Sequence, residues 1–190
     1  MKRTVVIRKA VISAFCIALC VVLPMAFHMV QDAGKVFCPM HIPVLLCGLI
    51  CGWPFGVLCG LVGPLLSSLI TGMPLMSLLP SMMLELAVYG AVTGILMRVV
   101  HTKSNYANLY ISLICAMLSG RVVSGIAKAL IFSAGTYSFD AWITTSFVTA
   151  LPGIIIQLAI VPAIVAALTR AHLIPEKQSL DFKKKQVYNK

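Results

Sequence analysis

The chain has 190 residues, of which 60% are hydrophobic and only 11% charged, against about 45–50% apolar and about 25% charged in soluble domains. Water is therefore not its main solvent, and at about 20 residues per membrane span this length holds six helices with short connections. The formal net charge of +10 would point to nucleic acid in a soluble protein, but the basic residues sit mostly at the ends of apolar runs, where topology explains them; no nucleic-acid partner is expected.

The first apolar run covers roughly Ala10 to Val30 and follows Lys2, Arg3, Arg8 and Lys9. It is too long for a secretory signal peptide, and Pro24 and His28 stand where a small-residue cleavage site would be needed, so it reads as a span. A polar loop from Gln31 to Phe37 leads through Cys38-Pro39-Met40-His41-Ile42-Pro43 into a second span ending near Cys51, short for a bilayer, and Trp53-Pro54 breaks it. The third run, Phe55 to Ile70, ends at the turn residues Thr71-Gly72-Met73-Pro74. A fourth covers Ser77 to Val100, a fifth about Tyr106 to Ala134, and a sixth Ala141 to Leu168, with Gly135 to Asp140 between the last two. Arg170 to Lys190 is polar and carries Lys183-Lys184-Lys185.

Basic residues accumulate on the cytoplasmic side of membrane proteins, which gives this reading an internal check. One face receives Lys2, Arg3, Arg8, Lys9, Arg98, Lys103, Arg170, Lys177, Lys183, Lys184, Lys185 and Lys190, and the other only Lys35. With Arg121 and Lys128 inside the fifth span, all 15 basic residues are placed. The expectation is an all-α integral membrane protein with six transmembrane helices and both termini cytoplasmic: a six-helix domain over 1–170 and a basic cytoplasmic tail over 171–190.

Seven cysteines lie almost entirely within apolar runs, with no CxxC pair and no Cys/His cluster at zinc spacing, so they read as small buried residues. Met40-His41 offers one histidine without neighbouring ligands, a poor metal site. No Walker, HExxH or GxSxG motif is present and no paired inward carboxylates appear. The chain is therefore not expected to be an enzyme, to hydrolyse ATP or to need a cofactor or metal.

Ala10, Ala14 and Ala18 recur every four residues and line one helix face, which allows another helix backbone to approach closely in lipid. Gly48, Gly52, Gly56 and Gly60 do the same across Trp53-Pro54, where a tight hairpin packed within the subunit is the simpler account. Charges at membrane depth cost roughly 2.5–3.5 kcal/mol each on insertion scales and need a partner or a polar cavity. Glu85, Arg121 and Lys128 are three such charges, with Arg121 and Lys128 seven apart on one helix face. They form either a structural Glu85–Arg121 ion pair or an outward pocket in which a basic residue remains for an anionic or carbonyl-rich ligand, with Gln157 adding a hydrogen bond.

The Ala10, Ala14, Ala18 stripe, the tract PMHIPVLLCGLICGWPFGVLCGLVGPLLSSLITGMP from Pro39 to Pro74 and LELAVYGAVTGIL from Leu84 to Leu96 resemble the substrate-binding S components of energy-coupling factor (ECF) vitamin transporters, over most of the chain to about Leu168. The resemblance implies an S-component-like bundle in a bacterial cell membrane. It implies a vitamin-like substrate held between helices four to six, under the loop Gln31 to Cys38, and delivery by toppling against a transmembrane coupling protein driven by two ATPase subunits. It implies that Ala10, Ala14 and Ala18 form the docking face, and it puts Glu85, Arg121, Lys128 and Gln157 on pocket-lining helices without fixing them individually. Cobalt and nickel members begin with Met-His; Met40-His41 is internal here, which counts against a metal substrate. Pantothenate leads as substrate because its carboxylate suits Arg121 or Lys128, ahead of folate-like compounds, cobalamin precursors and neutral heterocycles. The competing readings are an ion-coupled secondary carrier, which internal inverted repeats would favour, and a small intramembrane enzyme.

Overall fold

The computed structural model describes residues 2–26, 36–100, 102, 105–132 and 138–171. Helix α1 covers Lys2–Ala26 and buries Ser13, Cys16, Cys20 and Pro24, a three-then-four spacing that makes one inward stripe. Ala10, Ala14 and Ala18 fall on the other side and are exposed.

Helix α2, His41–Cys51, has only 11 residues, about 16 Å at 1.5 Å per residue and half of a hydrocarbon core of about 30 Å. Ten of its residues are buried, as expected for a helix that is apolar on every face. It stops at Gly52, whose φ of 93° and ψ of 173° suit only a residue without a Cβ. Trp53 and Pro54 then open α3, Trp53–Thr71, because proline fits a first helical turn that needs no N–H. At the end of α2 the Lys9 ammonium donates to the Cys51 carbonyl at 2.8 Å, and the Arg98 guanidinium lies over Gly52. Both cations face the negative end of the α2 dipole, so the basic N-terminal segment and the end of α4 share one end of the bundle.

Helix α3 closes at Gly72, whose N–H returns to the Ser68 carbonyl in a left-handed cap. Helix α4, Leu79–Val99, packs on α2 and α3 through backbone rather than side chains. A Cβ at Gly56 would stand 2.5 Å from the Gly90 carbonyl oxygen, and one at Gly60 would stand 2.5 Å from that of Leu86. The expected intramolecular glycine hairpin is thus extended by Gly90 and Gly94 of α4, which sequence spacing did not reveal.

Helix α5, Asn105–Ala127, continues as a π-helical stretch over Lys128–Phe132. The expected sixth run divides into α6, Phe139–Ile143, a π-helical stretch Thr144–Thr149 and α7, Leu151–Arg170. Pro152 falls in the first turn of α7, where a residue without an N–H is tolerated, so a new helix starts there. Among the described residues, five helices are long and apolar enough to cross a membrane: Arg3–Ala26, Trp53–Thr71, Leu79–Val99, Tyr106–Ile131 and Leu151–Arg170. The expected second span is the short, buried α2, which is not among these five. Most of the expected tail, from 172 onward, and Gln31 to Lys35 of the expected lid lie outside the described residues.

Candidate functional site

Four helices and the segment before α2 bring their polar groups together at one place. Cys38 has a φ of 48°, a left-handed backbone that costs a non-glycine residue of order 1–3 kcal/mol and that clusters at functional sites. This turn aims its carbonyl at two donors: the His41 backbone N–H at 3.1 Å and the Gln157 side-chain amide of α7 at 3.4 Å. Burial pushes the Cys38 thiol up to about 11, against the opposing pull of nearby Arg121, so the side chain is a neutral thiol. Gly153, one turn before Gln157, seats this segment, since a Cβ there would lie 2.6 Å from the Val36 carbonyl oxygen.

The His41 side chain starts the next link. Its Nε2 lies 3.6 Å from Oε1 of Glu85, an ion-pair separation too long for a hydrogen bond, and its ring meets Tyr89 edge-on at 5.2 Å. The Tyr89 hydroxyl donates to Glu85 Oε1 at 3.1 Å and accepts from Arg121 Nε at 3.2 Å. Tyr89 is fully buried and Arg121 only 3% exposed. The acid on α4 and the base on α5 are therefore joined through a shared hydroxyl, with His41 as a further partner of the acid. Gly120 makes room for the Tyr89 ring, which a Cβ there would overlap.

The α5–α6 side completes the enclosure. Arg121 lies under the Phe147 ring, 5.7 Å from its centroid, a distance at which a guanidinium is held by the ring quadrupole. The Trp142 indole N–H donates to the Arg121 carbonyl at 3.1 Å and packs where Gly125 has no side chain. Lys128 is half-buried at the point where α5 changes to π winding.

Of the residues expected at the site, Glu85, Arg121 and Gln157 belong to one connected network, while Lys128 lies further along α5 with an interaction of its own. The expected docking residues Ala10, Ala14 and Ala18 are on α1, on the face turned away from α2 and α3. Sequence reasoning missed His41, Tyr89, Trp142 and Phe147. One signal was available for His41: an intramembrane carboxylate needs a partner, and a histidine at the mouth of a neighbouring span was a candidate. Among the described residues no cluster of three or more histidine, cysteine or acidic side chains has the geometry to hold a metal ion.

Among the described residues, two buried polar atoms at this site have no hydrogen-bond partner: His41 Nδ1 and Gln157 Oε1. Such orphans are rare in folded proteins and each needs an explanation. A buried cation beside unsatisfied polar atoms, enclosed by aromatic rings, can hold a small polar molecule.

Comparison with curated proteins gave no match, and comparison with solved structures gave none. A family model described as "ECF transporter, substrate-specific component" matches residues 8–165, which take in most of α1, all of α2 to α6 with the whole polar network, and most of α7. This chain belongs to the family of ECF transporter substrate-specific components.

Proposed function

We propose that this subunit binds a carboxylate-bearing vitamin or vitamin precursor, with pantothenate the lead, and delivers it across a bacterial membrane by toppling against a coupling protein driven by two ATPase subunits. The observation that carries the substrate class is Arg121, a nearly buried guanidinium that shares its Tyr89 contact with the one acid of the network, Glu85. His41 also faces that acid, and a ligand carboxylate gives the Arg121 guanidinium a direct anionic partner.

The six-span arrangement with cytoplasmic termini belongs to the same proposal. Lys9 and Arg98 meet at the end of α2, opposite the end that holds His41, which fits a basic cytoplasmic end and a substrate site towards the outside. Val36 to Cys38 forms the inner edge of the lid. The exposed Ala10, Ala14 and Ala18 stripe gives the coupling protein a flat surface for close helix approach.

Binding of radiolabelled pantothenate to the purified subunit tests the substrate. Arg121→Gln should weaken it by roughly tenfold to a hundredfold, because charge-assisted hydrogen bonds are worth about 1.5–3 kcal/mol and about 1.4 kcal/mol is a decade of affinity. Wild-type protein that fails to bind pantothenate, or an Arg121→Gln variant that binds it as the wild type does, refutes the carboxylate reading.

A further inference from the structure

The orientation of the two orphaned atoms says what kind of group each one lacks. A backbone carbonyl has only lone pairs to offer, so the Gln157 amide must turn its NH₂ towards Cys38, and this fixes Oε1 as the unsatisfied end without the usual ambiguity of an amide flip. For His41, a lone pair on Nε2 facing a carboxylate oxygen at 3.6 Å would be repulsive. A proton therefore sits on Nε2, and Nδ1 is the ring nitrogen left without a partner. Gln157 Oε1 is thus an unsatisfied acceptor and His41 Nδ1 an unsatisfied ring nitrogen, on side chains that are 0% and 5% exposed.

Both residues reach the same turn. The His41 backbone and the Gln157 amide bind the same Cys38 carbonyl, and His41 touches the Tyr89 ring whose hydroxyl holds Arg121. From the Gln157 end to the Arg121 end the site changes from acceptor to cation.

We infer that His41 Nδ1 and Gln157 Oε1 are ligand contacts that select a molecule bearing O–H or N–H donors at one end and an anionic or acceptor group at the other. This rests on the substrate reading above and narrows it: a carboxylate alone does not satisfy the site. Pantothenate, with two hydroxyls and an amide N–H besides its carboxylate, has the required polarity. An acid with an apolar body leaves both atoms buried and unpaired, which is the strongest way a site rejects an analogue.

The test combines ligand and protein changes. The ligands are pantothenate, its analogue without both hydroxyls (3,3-dimethylbutanoyl-β-alanine), and pantothenol, in which an alcohol replaces the carboxylate. The proteins are wild type, Gln157→Leu, His41→Phe and Arg121→Gln, each measured for affinity and for thermal stability without ligand. Deleting the hydroxyls should weaken binding to wild type by about tenfold or more but should have a much smaller effect in Gln157→Leu or His41→Phe, because the hydroxyl's partner is already gone. A purely structural role would lower stability and leave the hydroxyl effect the same in every protein, and that result overturns the inference. Arg121→Gln and pantothenol report separately on the carboxylate. If they matter while the hydroxyls do not, only the donor-selecting role falls. If the hydroxyls matter while Arg121 and the carboxylate do not, the anionic substrate falls and the donor-selecting role stands.

Discussion

Replacing Tyr89 by phenylalanine isolates the hydroxyl that joins Glu85 to Arg121. The ring is fully buried and phenylalanine keeps its volume, its edge contact with His41 and its seat against Gly120, so no cavity forms. What disappears is the 3.1 Å bond within α4 and the 3.2 Å bond from α5. Hydrogen bonds to charged groups are worth about 1.5–3 kcal/mol in soluble proteins, whereas interhelical bonds in membranes average about 0.6 and reach about 1.7. The membrane figures apply to the link between α4 and α5, and with the second bond the expected loss is about 1–3 kcal/mol. Thermal unfolding of the detergent-solubilised subunit would report it as a lower midpoint without ligand. Tyr89→Phe should also weaken pantothenate binding, because Arg121 loses the contact that fixes its guanidinium. Unchanged stability would refute the argument that this hydroxyl ties α4 to α5, and the site would then be held by Phe147 and Trp142 alone.

Two other variants separate docking from binding. Ala14→Trp adds bulk to the exposed face of α1 and should abolish uptake in cells that express the whole transporter while leaving pantothenate binding by the isolated subunit nearly unchanged; normal uptake would remove α1 as the docking face. Gly153→Leu puts a side chain where the Val36 and Phe37 carbonyls now lie, so it should displace Val36 to Cys38 and weaken substrate binding by tenfold or more with a smaller loss of stability. Equal binding by Gly153→Leu would show that this segment does not close the site.

The sequence made the long spans legible because charge and hydropathy change together at their ends, and Arg98 is a good example: it ends α4 and lies over Gly52. It made α2 legible as too short, but not as a helix buried on all sides, since one chain cannot show what surrounds an apolar run. The break at Pro152 was present as Leu151-Pro152-Gly153 and was overridden by continuous hydrophobicity. Both π-helical stretches, Lys128–Phe132 and Thr144–Thr149, were invisible, because no local residue pattern marks them. At the site, Glu85, Arg121 and Gln157 stood out because polar groups are costly in a membrane. Tyr89 did not, since a tyrosine in an apolar helix looks like core, and His41 is 44 positions from the acid it faces, a separation that no periodicity spans.

The central claim is that the chain supplies specificity and no driving force, and uptake into proteoliposomes tests it most directly. The purified subunit alone should bind radiolabelled pantothenate without ATP and should not accumulate it under a proton or sodium gradient. Accumulation should appear only when the coupling protein and its two ATPases are reconstituted with it and ATP is present. Accumulation by the subunit alone, driven by either gradient, would contradict the account and make the protein a secondary carrier.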